Sequence, residues 1–207
     1  GTLYKLSRQK TNRIFIAFAA DGVGGRGKNN EDINFRKEES FKAARFLRAK
    51  ILNQKDEEYY SFQDQKIDSY DFNEIVSWVK RQIEKSKPDN IYTHYIGDIN
   101  RDHSILAEAV FVATRPNKYS NLKKIYSFEI NMGCINQGQT LGKAIFNPNV
   151  FEKIDINRKI KLFDQYQSEH KHWETWQKDI ETLARYRGMN SGYDFAEAFM
   201  LIRQRND

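Results

Sequence analysis

The sequence predicts an α/β fold in which a Rossmann-like parallel sheet carries helices on both faces, in a three-layer arrangement. Short apolar runs at residues 13–20 and 90–94 are typical of strands that are buried on both faces. Segments with helical spacing of apolar residues follow both runs, and alternation of strand and helix is typical of parallel sheets. Ligand sites in such sheets lie beyond the carboxyl ends of the strands, where Asp21 and residues 95–103 fall.

The spacing of apolar residues gives the elements in order. In residues 71–85, for example, Ile75, Val76, Val79 and Ile83 share one helical face, and Pro88 follows as a stop. The predicted helices cover residues 3–9, 34–51, 71–85, 102–113, 156–166 and 173–186. The predicted strands cover residues 13–20, 58–62, 90–94, 125–130 and 144–146.

Length and composition indicate one domain, residues 1–207, that buries its core without disulfides or structural metals. The single cysteine, Cys134, excludes an internal disulfide, and no apolar run is long enough for a membrane span. These features predict a cytoplasmic protein. The net charge is +6, but the 34 basic residues are interleaved with 28 acidic ones, which favours solvated helix faces over a nucleic-acid partner. Whether the chain forms a homo-oligomer is left open.

A glycine-rich loop follows the first predicted strand. Residues 22–27 match the pattern GxGxxG, which in dinucleotide-binding proteins precedes a helix whose amino terminus holds the pyrophosphate. Residues 28–33 are polar and favour a later start of the helix, and no lone acidic residue ends a strand about 20 residues further on. The loop is therefore predicted to be a flexible active-site loop, with a nucleotide-dependent oxidoreductase as an alternative.

Residues 93–103 carry the densest chemistry, because two histidines, carboxylates and an amide follow one strand within eleven residues. Imidazole and carboxylate groups are the usual non-sulfur ligands of a hydrolytic zinc ion.

Four segments together resemble the zinc-dependent N-acetyl sugar deacetylases that are named for PIG-L and LmbE. They are residues 20–22 with Arg26, Arg36 and Glu39; residues 93–103; residues 146–151; and residues 185–188 with 192–199. The resemblance implies hydrolytic N-deacetylation of an N-acetylated sugar derivative, similar to N-acetylglucosamine or a nucleotide sugar, by a zinc-activated water. A non-catalytic sugar-binding or interaction module on the same fold is the alternative.

The resemblance also assigns roles to residues. It makes His103 a zinc ligand and Asp102 a catalytic carboxylate that orients an imidazole, with an N-cap as the alternative for Asp102. Asn100 stands where some members carry a histidine thought to stabilise the oxyanion, a role that an amide performs less well because it carries no charge. The predicted substrate-binding residues are Asp21, Arg26, Arg36, Asp98 and Tyr193.

Several of these residues have structural alternatives. Asp21 could serve a turn, Asp98 could shape its loop by accepting backbone N–H bonds, and Arg36 could pair with Glu39 on an exposed helix. His94 is expected to be either a pocket wall or a hydrogen-bonded polar residue.

The sequence departs from the family pattern at its start. Members of the family open with a strand and a His-Pro-Asp-Asp-Glu segment, which bring two further zinc ligands and the general base, and then a Gly-Gly-Thr turn. Residues 1–3 resemble the end of that turn. The first strand is therefore expected to be missing, the other zinc ligands are expected from an upstream segment, and the chain as printed is expected to be inactive.

Overall fold

The computed structural model describes residues 1–24, 30–53, 61–130, 141–142, 145–170 and 174–206. The elements in chain order are α1 (Thr2–Ser7), β1 (Phe15–Ile16), α2 (Asn30–Phe46), β2 (Lys50–Ile51), a 3-10 turn (Ile67–Ser69), α3 (Phe72–Ser86), β3 (Asn90–His94), α4 (Arg101–Ala113), β4 (Lys124–Phe128), β5 (Val150–Lys153), α5 (Ile156–Phe163), α6 (Gln167–His170), α7 (Trp176–Met189) and β6 (Ala196–Gln204). Within these ranges no helix combines the length and apolar character that crossing a membrane requires.

The chain divides into two compact units. The first contains Gly1–Asp64 and Phe151–Glu197, and the second contains Gln65–Val150 and Ala198–Asp207. Both contain helices and parallel strand pairs, as the predicted α/β class requires.

In the first unit, β1 and β2 pair in parallel, and an isolated parallel bridge joins Ala20 to Phe62. The predicted strand at 13–20 is thus formed as a two-residue strand and a separate bridge. The predicted strand at 58–62 lies mostly outside the described residues. Helix α2 packs against β2, α5 and α6, and its residue Ala44 forms a small core with Ile51.

Both ends of α2 differ from the prediction of 34–51. The helix begins at Asn30, so the expectation of a later start after the glycine-rich loop is wrong for residues 30–33. The case against a dinucleotide site then depends on the missing acidic residue alone. The helix ends at Phe46, because Arg48 adopts a left-handed conformation (φ 51°) and Ile51 enters β2. Leu47 and Ile51 are both buried, and their helical spacing concealed this change.

In the second unit, β3 pairs in parallel with β4, in the register Asn90↔Lys124 to His94↔Phe128. Strand β6 pairs antiparallel with β4, so these strands have the order β3-β4-β6. The sequence prediction did not contain β5 or β6. The predicted strand at 144–146 is not formed at residues 145–146, and residue 144 lies outside the described ranges.

Helix α3 follows the predicted bounds of 71–85 to within one residue. Asp71 caps it by accepting a hydrogen bond from the Asn73 N–H (2.7 Å), and Lys87 ends it in a left-handed conformation. The apolar face is buried, and the helix packs against α4, which in turn packs against β3. This packing places the start of α4 beside the carboxyl end of β3.

The first unit contains an ion pair that makes stability depend on pH. Glu197 accepts a hydrogen bond from the Thr2 N–H (2.7 Å) and lies 2.8 Å from Lys159 Nζ. Burial alone would raise the pKa of Glu197, but the charge of Lys159 and the hydrogen bonds outweigh it and lower that pKa. A carboxylate with a lowered folded-state pKa stabilises the fold above its unfolded pKa, and this contribution is lost as pH falls through the folded pKa.

We therefore expect Glu197→Gln to lower the free energy of unfolding at pH 7 by about 1.5–3 kcal/mol, the range for hydrogen bonds to charged groups. The difference from wild type should shrink as pH falls below about 4.3, the ordinary glutamate pKa. Urea unfolding at several pH values measures both effects. Glu152→Gln is the matched control, because its bond to Lys5 is exposed and should contribute less than about 1 kcal/mol. Equal losses in the two variants would contradict the expectation.

Candidate active site

Side chains that accept backbone N–H groups shape the loop between β3 and α4. Asp98 Oδ1 accepts the N–H of Asn100 (2.9 Å), and Asn100 Oδ1 accepts the N–H of Asp102 (3.0 Å). Asn100 is thereby the N-cap of α4, in the extended conformation that capping requires. The alternation of short polar residues at 98, 100 and 102 thus sets the path of the loop and the start of the helix.

The carboxylate of Asp102 connects the start of α4 to a distant part of the same unit. Its two oxygens accept the N–H groups of Gln65 (2.6 Å) and Ile67 (3.1 Å), and the residue is buried. Asp102 is therefore not the N-cap that the sequence suggested as an alternative. Its predicted role as a catalytic carboxylate stays a prediction.

The imidazole of His103 is hydrogen-bonded to a carboxylate of the loop. Its Nδ1 atom lies 3.0 Å from Oδ2 of Asp98, which is 2% exposed, whereas the imidazole is 25% exposed. An ionised carboxylate only accepts hydrogen bonds, so this contact requires the proton on Nδ1 and leaves a lone pair on Nε2 when the ring is neutral. The carboxylate that this contact places at His103 is Asp98, which was predicted to bind substrate.

The charge of Asp98 depends on these contacts. Burial alone would raise the pKa of Asp98, but the hydrogen bonds from His103 and from the Asn100 N–H outweigh it and lower that pKa. Asp98 therefore remains an ionised acceptor at neutral pH, and the prediction that it shapes the loop agrees with its contacts.

His94, at the end of β3, lies against the face of His103. The two rings are stacked with centroids 4.4 Å apart and an angle of 10° between their planes, and the ring of Phe128 lies 5.0 Å from His94. Burial, followed by repulsion from His103, lowers the pKa of His94 to about 3, so its ring is neutral. Its buried Nδ1 atom has no hydrogen-bond partner within the part of the chain that the structure describes. Of the two expectations for His94, these contacts favour an aromatic wall.

The predicted substrate-binding residues outside this loop belong to the first unit. Asp21 is buried and its Oδ1 accepts the N–H of Val23 (3.0 Å), ahead of Gly22 with its positive φ of 71°. This arrangement supports the turn alternative for Asp21. Tyr193 is 42% exposed and follows α7, and Arg26 lies outside the described residues.

Arg36 takes part in an internal ion network of the first unit. Its guanidinium bonds Glu169 of α6 and lies 3.6 Å from Glu39, which is 1% exposed. Glu39 also accepts the backbone N–H (2.8 Å) and the hydroxyl (2.6 Å) of Ser168. Glu39 is therefore buried and Arg36 is partly buried, whereas the structural alternative assumed an exposed pair. In this conformation Arg36 serves to hold α6 against α2.

The structure brings Asp98, Asn100, Asp102 and His103 together around one loop, and it adds His94 to them. The contacts of Asp98 and His94 with His103 were not predicted, because neither residue stands at a helical spacing from it. The described residues contain no group of three or more histidine, cysteine, aspartate or glutamate side chains that could hold a metal ion. Nε2 of His103 has the chemistry of a single zinc ligand, because its ring donates from Nδ1 to Asp98. The described residues alone do not form a complete zinc site.

The contacts of Asp102 predict that its substitution alters stability. We expect Asp102→Asn to lose about 1–3 kcal/mol of unfolding free energy, because an amide has one acceptor oxygen for the two N–H groups. Thermal and urea unfolding measure this loss. Asp68→Asn is the matched control, because its bond to Arg101 is exposed and should contribute less than about 1 kcal/mol. A fully stable Asp102→Asn variant would contradict the structural role.

Solved structures of several proteins share this fold. N,N'-diacetylchitobiose deacetylase from Pyrococcus horikoshii matches with a TM-score of 0.73 and 18% identity, over 98% of this chain and 77% of that one. A conserved protein from Thermus thermophilus matches with a TM-score of 0.72 and 19% identity, over 100% of this chain and 90% of that one. The 4-carboxy-2-hydroxymuconate hydratase GalB from Pseudomonas putida matches with a TM-score of 0.68 and 15% identity, over 94% of this chain and 86% of that one. These likenesses confirm the α/β fold.

A comparison with curated proteins gives no significant match. The family model described as PIG-L, GlcNAc-PI de-N-acetylase, matches residues 1–114, which is more than half of the 207 residues. The polar residues of the loop before α4, together with His103, lie within this range. On this evidence the chain belongs to the PIG-L family.

Proposed function

We propose that this protein hydrolyses the acetamide group of an N-acetylated sugar derivative, with His103 as one ligand of a zinc ion. One observation carries the proposal. In this chain of the PIG-L family, the Nδ1–H of His103 donates a hydrogen bond to the buried carboxylate of Asp98. Metal-binding histidines usually donate their second ring N–H to a carboxylate or carbonyl in this way, which fixes the tautomer and raises the basicity of the ligand.

The residues around His103 have separable tasks in this proposal. A bound zinc ion supplies polarisation of the acetamide carbonyl and a lowered pKa for its water. Asp98 accepts a hydrogen bond from the Nδ1–H of His103. Asn100 caps α4 with its Oδ1 atom, and its Nδ2 group remains a hydrogen-bond donor. That donor is our candidate for stabilising negative charge on the acetamide oxygen. The remaining metal ligands come from outside the described residues.

Other assignments stay proposals. Asp21, Arg26, Arg36 and Tyr193 remain candidates for contacts with the sugar, although Arg36 would first have to leave its bond to Glu169. The substrate class, an N-acetylglucosamine-like or nucleotide-linked sugar, and the cytoplasmic location likewise rest on the sequence. A single domain over residues 1–207 is proposed on the same basis.

A non-catalytic sugar-binding module is the second candidate. It is favoured by the lack of a three-ligand group among the residues that the structure describes. Such a module would bind N-acetylated sugars and release no acetate.

Acetate release from N-acetylglucosamine derivatives, measured on the protein with Zn²⁺, tests the proposal. We expect release by the wild type and a loss of at least about 100-fold in His103→Gln, since even residues that only orient a ligand are worth 10–100-fold. The matched control is His170→Gln, which removes an imidazole that stacks on Trp176 in the first unit and should retain the rate. Sugar binding without acetate release would favour the module, and equal rates in wild type and His103→Gln would exclude His103 as a ligand.

A further inference from the structure

Two independent contacts restrict the ring of His103. One is at its edge, where Oδ2 of Asp98 lies 3.0 Å from Nδ1, and the other is at its face, where the ring of His94 stacks at 4.4 Å. A histidine side chain on a helix has two rotatable bonds, and a half turn about the second one exchanges Nδ1 with a carbon atom. The edge contact opposes that half turn, and the face contact opposes smaller tilts of the ring.

The partners that restrict the ring are themselves fixed. Asp98 is bound to the Asn100 N–H and is buried, so losing a partner would leave a buried charge incompletely paired, which is costly. His94 is the last residue of β3, it is in register with Phe128, and its carbonyl accepts the hydroxyl of Ser127 (3.0 Å). The ring of Phe128 also contacts His94. The sheet therefore fixes the position of the His94 ring, on which the ring of His103 stacks.

Asp102, the carboxylate nearest to His103 in the sequence, binds a distant segment of the chain. Asp102 precedes His103 directly, but both of its oxygens accept backbone N–H groups of residues 65 and 67. The turn through residues 98, 100 and 102 brings the earlier carboxylate back to the imidazole instead.

We propose that Asp98 and His94 are positioning residues for His103: Asp98 determines which ring nitrogen carries the proton, and His94 determines the plane of the ring. Together they present the Nε2 lone pair in one direction. The inference rests on the proposed function in one respect: the orientation of His103 matters for catalysis if Nε2 binds a metal. The arrangement itself is a property of the metal-free chain.

Nitrogen-15 NMR of the metal-free protein at pH 8, with labelled histidine, tests the role of Asp98. The chain has four histidines, so single His→Gln variants assign the signals. We expect the Nδ1–H tautomer of His103 in the wild type, and a shift of the tautomer ratio toward Nε2–H by about tenfold or more in Asp98→Asn, since hydrogen bonds to charged groups are worth 1.5–3 kcal/mol. Glu108→Gln, an exposed acid-to-amide change on the same helix, should leave the ratio unchanged.

Ring dynamics test the role of His94. We expect the order parameter of the His103 ring, from carbon-13 relaxation, to fall in His94→Ala and to be retained in His94→Phe, which keeps an aromatic ring at this position. If His94 only stabilised the fold, the order parameter of the His103 ring would not differ between His94→Ala and His94→Phe.

The outcomes separate the two proposals. An Nε2–H tautomer in the wild type, or an unchanged ratio in folded Asp98→Asn, would overturn the role of Asp98, and an unchanged order parameter in His94→Ala would overturn that of His94. If Asp98→Asn does not fold, the wild-type tautomer decides. The expected NMR result without acetate release contradicts the proposed function alone, whereas acetate release with the Nε2–H tautomer contradicts the positioning role alone.

Discussion

The buried carboxylate of Asp98 is the constraint on which the rest of the candidate site depends. A charged group that is 2% exposed must find hydrogen-bond partners, because desolvation is otherwise too costly. Its two oxygens accept hydrogen bonds from the N–H of Asn100 and from the Nδ1–H of His103. The loop and the imidazole are therefore fixed by one requirement, since either partner's departure would leave a buried charge incompletely paired.

The sequence predicts where the polar residues are, but it does not predict which of them meet. Preferences for helix starts correctly put a short polar residue at the beginning of α4, and the cap is Asn100, two positions before the suggested Asp102. The choice between Asp98 and Asp102 as partner of His103 depends on Gln65 and Ile67, which are 37 and 35 residues distant from Asp102. No local pattern contains that information.

The same distinction between local and distant contacts separates the elements that were predicted from those that were not. Helix α3 has a continuous apolar face and its own cap, and its bounds followed from the sequence. The end of α2 did not, because Ile51 keeps the helical spacing although it is buried in β2. For Arg36, the sequence shows the neighbour Glu39 but not Glu169, which is 133 residues away and makes the expected exposed pair part of a partly buried network.

Membership of the PIG-L family and the fold together limit the chemistry without fixing it, because the same fold matches both a deacetylase and a hydratase. The difference has to come from atoms in the site, and we infer that the position of the proton on His103 contributes to it in this chain. With the proton on Nδ1, the Nε2 atom of the neutral ring has the lone pair that a metal ion would bind. With the proton on Nε2, the same atom is a hydrogen-bond donor, which suits a sugar oxygen and offers no lone pair to a metal ion. Because Asp98 accepts the Nδ1–H of His103, a carboxylate five residues before the histidine favours the first of these two states.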